Sequence, residues 1–282
     1  MPLVLSPSYA TIGALNLMSR EDSGVEWIMG DITGWGAPGG TRAPKPKTRQ
    51  MGAWGGLSYA KSRPIVIPGV CIAPTAALAS DALDRLIDAC SLDEAVLSVS
   101  ESGRVRWTTV SRDGDVLPTW IGATVFKYSV QFVALNPRKF GTPITASTHL
   151  PSSSGGLTIP YTIPYSINAT QVSGQVSIFN PGNETGPVVM RLDGPCVGPV
   201  ITHVGSGLRL TFAASATLGV GEWWDIDHEG QSVLAQGQAT RAQFITSRQW
   251  SGLEPGSNTW AFTAASYSSG ALLTVTGTPA DK

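Results

Sequence analysis

The sequence predicts a mainly β protein of two domains, with a single α-helix in the first domain. The chain has 282 residues, whereas one globular domain usually holds roughly 100 to 200 residues. Short segments of alternating apolar and polar residues recur along it, and 32 Gly and 20 Pro residues supply turns between them. Helical periodicity marks one stretch. Each half of the chain is therefore large enough to bury a core of its own.

The first strand signal is the alternation in Val25–Met29. The following region, from Asp31 to Arg63, is interrupted by Gly or Pro every few residues, so the sequence predicts a long loop there. It holds six basic residues and one acidic residue, in a chain whose 19 Lys and Arg nearly balance 20 Asp and Glu. Its candidate residues for contact with a neighbouring subunit or a lumen are Arg42, Lys45, Lys47, Arg49 and Lys61. A solvated loop and direct nucleic-acid contact are the alternatives.

A strand at Ile65–Ile67 precedes the predicted helix, which runs from Thr75 to Cys90. Thr75 can cap its first turn. Apolar residues recur at spacings of three and four, which is the pattern of a helix with one buried face: Leu78, Ala79, Ala82, Leu83, Leu86, Ile87 and Cys90. The opposite face is polar. The sequence therefore predicts a surface helix that packs on a sheet.

Further strands of the first half are predicted at Ala95–Ser100, Val105–Val110 and Ile121–Leu135, because apolar and polar residues alternate there. The last is the longest, and the segment "NPRKFG" ends it. We place the domain boundary near Phe140 to Thr142, which gives domains 1–141 and 142–282. The Ser152–Gly156 run lies beyond this boundary and is short, so we expect a fixed joint rather than a long tether.

The second half shows only strand signals. Its predicted strands are short and are separated by Gly, Pro, Asn or Asp turns at intervals of roughly 8 to 12 residues, which is typical of an antiparallel sandwich or barrel. They are Gln175–Phe179, Val188–Leu192, Val200–His203, Leu208–Phe212, Trp223–Asp227, Ser232–Gln236, Thr259–Ala265 and Leu272–Thr276.

We assign no catalytic residue, cofactor site or metal site from the sequence. Gly34–Gly39 matches the GxGxxG pattern, but Pro44 and Pro46 exclude the helix that a dinucleotide site needs. The three His residues stand far apart, and the three Cys residues lack metal-binding spacing and are expected to be reduced core residues. The N-terminus has no basic leader and no long apolar run occurs, so we expect a cytoplasmic product without membrane insertion.

Two candidates in the second half remain open. Asp225 and Asp227 share a strand face with Trp223, which is compatible with a cation site, with an acid–base pair of a glycan hydrolase, or with the solvated face of a hairpin closed at Gly230. Nine Trp residues in a weakly charged chain also raise the possibility of sugar stacking. The candidates are Trp223, Trp250 and Trp260, against the more common burial of Trp in a core or interface.

The order of several segments resembles the distal tail proteins of long-tailed phages, in particular phages of actinobacteria. These segments are the basic region, "YAKSRPIVIPG", the helix, "VSRDGD", "PTWIG" and "NPRKFG". In the last, Asn136 and Phe140 stand where relatives usually have Asp and Tyr. Downstream, "GGLTIPYTIPYSI", "SGQVSIFNPGNETGPVVMRLDGP", "GEWWDID" and "SRQWSGLEPGSNTWAFTA" extend the resemblance over nearly the whole chain.

The resemblance implies an N-terminal, β-sandwich-like ring domain with one helix, followed by a galectin-like β-sandwich. In such proteins the chain forms a homo-oligomeric ring, usually hexameric, that joins the tail tube protein to baseplate hub or tail-tip proteins and lets DNA pass through its lumen. The implied role is that of a non-enzymatic virion protein, whose basic region meets a neighbouring subunit or the channel. The alternative is a carbohydrate-binding module that attaches to host surface glycan, although the sugar-binding motifs of true galectins are absent.

Overall fold

The computed structural model describes residues 9–154, 170–266 and 268–282. The chain folds into two compact units, Met1–Gly141 with Lys282 and Thr142–Asp281. The protein is mainly β, and one α-helix occurs among the described residues. The predicted fold class is therefore confirmed at this level. The segment "GGLTIPYTIPYSI" and the last two residues of the Ser152–Gly156 run lie outside the described residues.

The first unit contains fourteen strands within its described residues, several of only two residues. In chain order they are β1 (Tyr9–Ile12), β2 (Leu15–Asn16), β3 (Ser19–Arg20), β4 (Glu26–Met29), β5 (Gly40–Arg42), β6 (Lys45–Pro46), β7 (Ala53–Trp54), β8 (Ser58–Ala60), β9 (Arg63–Ile72), β10 (Ala95–Glu101), β11 (Arg104–Arg112), β12 (Leu117–Trp120), β13 (Val125–Ala134) and β14 (Lys139–Phe140).

The main sheet of this unit is antiparallel and has the order β2-β1-β10-β11-β13-β9-β4-β3, with β12 on β13 and β14 on β11. Its longest ladder joins β9 to β13 over ten residue pairs, from Val125 opposite Ile72 to Ala134 opposite Arg63. By contrast, β11 meets β13 only through Ser111 and Arg112. The strand that pairs with β11 therefore changes along its length, from β14 at Trp107 to β13 at Ser111 and Arg112.

Strand β13 supplies much of the first core. Its residues alternate as predicted, and Phe126, Tyr128 and Phe132 are all nearly inaccessible to solvent. The Trp27 ring meets the rings of Phe126 and Tyr128 edge to face, with centroids 6.3 and 5.8 Å apart. The strand begins at Val125 rather than at Ile121, because the Ile121 N–H donates to the Val125 carbonyl and closes a turn.

The predicted helix is confirmed as α1, Ala76–Ala89. Thr75 is its N-cap, and the Leu78 N–H donates to the Thr75 hydroxyl oxygen over 3.3 Å. The buried face is narrower than predicted, consisting of Ala79, Ala82 and Leu86. Ile87 is 43% exposed, so its assignment to the buried face is wrong. The helix contacts β2 and β9 of the sheet, and these three residues are the ones that it encloses.

The second unit is built from strands and one short 3₁₀ helix, Ala242–Phe244. Its strands are β15 (Ile144–His149), β16 (Ser152–Ser154), β17 (Thr170–Val172), β18 (Gln175–Asn180), β19 (Val188–Asp193), β20 (Cys196–Val197), β21 (Val200–His203), β22 (Arg209–Phe212), β23 (Thr217–Leu218), β24 (Trp223–Asp227), β25 (Ser232–Ala235), β26 (Ala239–Thr240), β27 (Ile245–Arg248), β28 (Gly256–Thr263), β29 (Leu272–Gly277) and β30 (Ala280–Asp281).

Two antiparallel sheets enclose the second core, with the orders β15-β29-β19-β24-β25-β26 and β18-β28-β21-β22-β27. Residues from both sheets, such as Met190, Trp224, Trp260 and Leu273, belong to one buried cluster. This arrangement is a β-sandwich. All eight strands predicted here are confirmed to within a few residues at their ends. The strands that prediction missed are mostly short.

The three cysteines are buried thiols, as predicted, and none forms a disulfide. Burial raises the pKa of Cys71 to about 11 and that of Cys90 to about 12. It also raises the pKa of Cys196 to about 11. The reactive thiolate is therefore disfavoured at all three positions near neutral pH.

Candidate functional site

The segment formed by residues 40–60 is an exposed β-hairpin, here named the hairpin arm. Strand β5 pairs with β8, and β6 pairs with β7 closer to the tip. The expectation of a loop without regular structure is wrong at this point. The ladders are only two or three residues long and nearly every side chain in them faces water, so no alternation of apolar and polar residues marks them.

The arm tolerates its close strand spacing because of its glycines. A Cβ atom on Gly56 would lie 2.7 Å from the Ala43 carbonyl oxygen, and Gly52 adopts a φ of +99° where the chain reverses. The Lys47 N–H donates to the Gly52 carbonyl over 3.1 Å and closes the tip. The Gly-rich composition that suggested a loop is thus the composition of a tight hairpin.

The arm exposes large apolar side chains that a solvated loop would not need. Met51 is 100% exposed, Leu57 77%, Trp54 67% and Tyr59 64%. Apolar surface concentrated in this way usually marks a site of contact with another molecule. Because these side chains lie on a thin hairpin, no core formed by the described residues covers them.

Each of the five predicted basic residues is on or next to the arm. Arg42 lies in β5 and donates to the Ser58 hydroxyl over 2.8 Å, whereas the Lys47 ammonium lies 4.9 Å from the centre of the Trp54 ring. Lys45 is in β6, Arg49 is in the tip, and Lys61 follows β8. No acidic residue occurs in the sequence between Asp31 and Asp81. The arm therefore combines exposed aromatic surface with a local excess of positive charge.

Arg63, at the base of the arm, has a structural role that the sequence did not reveal. Its side chain is buried, at 1% exposure. The guanidinium donates to the Pro137 carbonyl over 3.1 and 2.8 Å, to the Gly34 carbonyl over 3.0 Å, and to the Gly36 carbonyl. Burial and the nearby Arg106 lower the pKa of Arg63. This residue joins the start of the arm segment to the end of the first unit.

A second buried cation supports the same region. The Lys139 ammonium donates to the Trp35 carbonyl over 3.0 Å and lies 5.5 Å from the centre of the Trp35 ring. The Trp35 indole N–H donates in turn to Glu101 over 3.1 Å, and Glu101 forms an ion pair with Arg106. The base of the arm is thus held by two buried cations, while the rest of it is exposed.

The segment "NPRKFG" supplies most of these contacts. Asn136 accepts hydrogen bonds at its Oδ1 atom from the Arg138 N–H and guanidinium, over 3.2 and 3.1 Å. Thr108 donates to the Arg138 carbonyl over 3.1 Å, and the Trp107 and Phe140 rings pack with centroids 5.0 Å apart. The segment is a polar clamp inside the first unit. The sequence did not indicate this structural role, because two adjacent basic residues usually belong to a solvated turn.

The three candidate sugar-stacking tryptophans are not brought together. Trp260 is fully buried and donates to the Ser251 hydroxyl over 3.0 Å, so its assignment as a stacking residue is wrong. Trp250 is half-buried against the second core, with the His228 ring edge to face at 5.5 Å. Trp223 is half-buried, and the Arg191 guanidinium lies 4.4 Å from its ring centre.

Asp225 and Asp227 share a face with Trp223, as predicted, while Trp224 and Ile226 are buried on the other face. Asp225 accepts the Trp223 indole N–H over 3.2 Å. Asp227 accepts the N–H groups of Glu229 and Gly230 over 3.0 and 2.9 Å, which closes the hairpin turn. Within residues 9–154, 170–266 and 268–282, no group of three or more His, Cys, Asp or Glu could hold a metal ion.

No helix in the described part of the chain is both long enough and apolar enough to cross a bilayer.

No protein-family model and no curated protein sequence matches the chain. Among solved structures, the Dit protein of phage SPP1 aligns with it at a TM-score of 0.67 and 11% identity, over 97% of this chain and 99% of that one. SPP1 Dit is a paradigm of the hub adsorption apparatus in phages that infect Gram-positive bacteria. Chains of the phage p2 baseplate in its activated conformation, with Ca or with Sr, align at a TM-score of 0.52 and 10% identity, over 96% of this chain and 98% of theirs. At these identities the likeness establishes a shared fold, and the fold is that of Dit.

Proposed function

We propose that this chain is a structural component of a phage tail, a distal tail hub without enzymatic activity. The observation that supports it most is the length of the structural alignment, since one hub protein matches 97% of the chain and therefore both units. Fold alone does not determine function. The exposed hairpin arm adds the second support, because its apolar surface suits contact with another molecule.

In this proposal residues 1–141 form the ring, which is hexameric, and residues 142–282 form a galectin-like sandwich that faces outward. The ring connects the tail tube to baseplate or tail-tip proteins in a phage of actinobacteria, and DNA passes through its lumen without sequence-specific contact. The virion is the site of action, with assembly in the host cytoplasm.

The arm provides one of the two different surfaces that a ring subunit needs. Trp54, Leu57 and Tyr59 would be covered by a neighbouring copy, which removes their apolar surface from water. The basic residues would face the neighbour or the lumen, where positive charge suits a passing polyanion. Because Arg63 fixes the base of the arm, the arm leaves the first unit at a defined position, from which it can contact a neighbouring copy.

The arm's role can be tested by native mass spectrometry of the full chain over a range of concentrations. We expect wild-type rings, and loss of rings in a variant with Trp54→Ser, Leu57→Ser and Tyr59→Ser. The matched control carries Phe179→Ser, Val204→Ser and Val220→Ser, three side chains of the second unit that are 60%, 51% and 87% exposed. This control should keep the rings. Rings that persist in the arm variant would exclude the arm as the interface.

A further inference from the structure

A polar cleft lies at one end of the second unit, beside the start of β24. It has a volume of about 310 Å³, which is at the lower end of the range of small-ligand sites. Three separate segments border it: the loop and strand before Glu222, the turn after β25, and the chain around the 3₁₀ helix. The side chains used below are Ser215, Thr217, Glu222, Gln236, Arg241 and Phe244.

The rim of the cleft holds polar groups that the fold leaves unused. The guanidinium of Arg241, the amide of Gln236 and the hydroxyls of Ser215 and Thr217 have no hydrogen-bond partner in the part of the chain that the structure describes. Arg241 is half-buried. Water reaches the Arg241 guanidinium, and Ser215, Thr217 and Gln236 are exposed, so a ligand with several hydroxyls would replace water at these groups.

An acceptor stands in the same cleft. The Oε2 atom of Glu222 accepts the Gly219 N–H over 2.7 Å, so the carboxylate is held in place and keeps its other lone pairs for a further donor. Donors on Arg241, an acceptor on Glu222, and the Gln236 amide with both kinds of group therefore border one space.

Aromatic side chains also line the cleft. Phe244 is half-buried and stacks on the buried Trp224, with ring centroids 6.4 Å apart and ring planes at 12°. Trp223 borders the cleft at the first residue of β24. Aromatic side chains next to mixed donors and acceptors suit a molecule with one apolar face and many hydroxyls.

From this arrangement we infer that the cleft binds a neutral saccharide of one or two rings. Each sugar hydroxyl can accept from Arg241 or Gln236 and donate to Glu222, while C–H groups of the ring lie on Phe244. The lining pairs one carboxylate, Glu222, with one guanidinium, Arg241, so no net side-chain charge favours an acidic or a basic sugar. This binding site goes beyond the proposed hub function, since it needs neither a ring nor the hairpin arm.

The turn that holds Gln236 offers a clean test. Gln236 adopts a φ of +51°, a left-handed conformation that favours Gly, so Gln236→Gly removes the amide without straining the backbone. Gln231 has the same φ of +51° and lies outside the cleft. Gln231→Gly is therefore a matched control, with the same side chain lost from the same backbone geometry.

Saturation-transfer difference NMR on the full chain, with glucose, galactose, N-acetylglucosamine, rhamnose and glucuronic acid as probes, decides the matter. We expect binding of at least one neutral sugar, weakened about five-fold by Gln236→Gly, as the loss of about 1 kcal/mol of hydrogen bonding implies. Arg241→Ala should weaken it similarly, and Gln231→Gly should not. Binding of glucuronic acid alone, binding of none of the probes, or equal binding by the Gln236 and Gln231 variants would overturn the inference. Because this readout does not depend on assembly, failure here leaves the ring proposal unaffected.

Discussion

At the residue scale, the first unit depends on a buried arginine whose described hydrogen bonds all go to backbone carbonyl oxygens. Arg63 donates to three such carbonyl groups from segments far apart in sequence. A carbonyl that loses its donor at a buried position costs free energy. The guanidinium can serve all three because its donors form a rigid, planar fork.

We therefore expect Arg63→Met to lower the free energy of unfolding of the first unit by about 3 kcal/mol, through unsatisfied carbonyls. Arg42→Met is the matched control. Arg42 is exposed on the arm, so its loss should change stability by less than about 0.5 kcal/mol. Urea denaturation measures the stability change of each variant, with hydrogen exchange of peptides from residues 9–140 as the readout for the first unit. Equal effects would show that Arg63 is no more structural than an arm residue.

His228 gives the second unit a pH dependence. Its Nδ1 atom accepts the Ser251 N–H over 3.1 Å, and burial lowers the pKa of His228 from 6.5 to about 4, against smaller opposite effects of Ser251 and Asp227. Between these values the unfolded chain binds a proton that the folded unit does not. The stability of the second unit should therefore fall as pH drops from about 6.5 to about 4, by about 3 kcal/mol in total.

Urea denaturation of the wild type and of His228→Gln at pH 7, 5.5 and 4.5 checks this prediction. The variant should be less stable at pH 7, because the Ser251 contact is lost, and its stability should change less between these pH values. The same pH slope in both proteins would contradict the role of His228.

At the scale of elements, the helix was predictable from sequence because both of its determinants are local. Thr75 caps the first turn, and small or apolar residues return every three or four positions. Replacing Thr75 with Ala should cost about 1 kcal/mol, since the Leu78 N–H loses its acceptor. Thr41→Ala, at an exposed position of β5, is the control and should be nearly neutral. Hydrogen exchange of peptides from Ala76–Ala89 measures the difference, and equal protection in both variants would rule out the cap.

The hairpin arm was not predictable, although its basic residues were singled out. Strand prediction relies on alternation that arises when one face of a strand is buried. The arm has no buried face, so β5 to β8 leave no such trace, and the signal that remained was charge. The clamp at its base was missed for a related reason. Arg63 and Lys139 are charged residues whose partners are backbone carbonyl oxygens. Every residue type has a backbone carbonyl, so the sequence does not indicate these partners.

The cleft in the second unit was also not predictable from the alternation of apolar and polar residues. Strand β24 and the shared face of Trp223, Asp225 and Asp227 were predicted, and the residues between them, Trp224 and Ile226, are buried. Gln236 is the last residue of the predicted strand Ser232–Gln236, and Arg241 lies outside the predicted strands. Their approach to Glu222 depends on the pairing of β24, β25 and β26, which the sequence pattern does not indicate. Trp260 was chosen as a sugar-stacking candidate by residue type alone. Its burial shows that residue type alone does not distinguish a stacking Trp from a core Trp.

At the scale of the whole molecule, a likeness to the Dit fold over 97% of the chain coexists with 11% sequence identity. What the two chains share is therefore a pattern of strands and cores rather than particular side chains. Among the described residues, the hairpin arm concentrates exposed large apolar side chains, with Trp54 67% and Leu57 77% exposed. Leaving that surface uncovered in a working protein would be unfavourable.

Assembly into a ring is thus the central claim, and negative-stain electron microscopy of the purified full chain tests it most directly. The proposal predicts discrete closed rings with a central hole, and class averages that show the six-fold symmetry of a hexamer. A uniform population of single copies at the highest concentration that can be reached would contradict it.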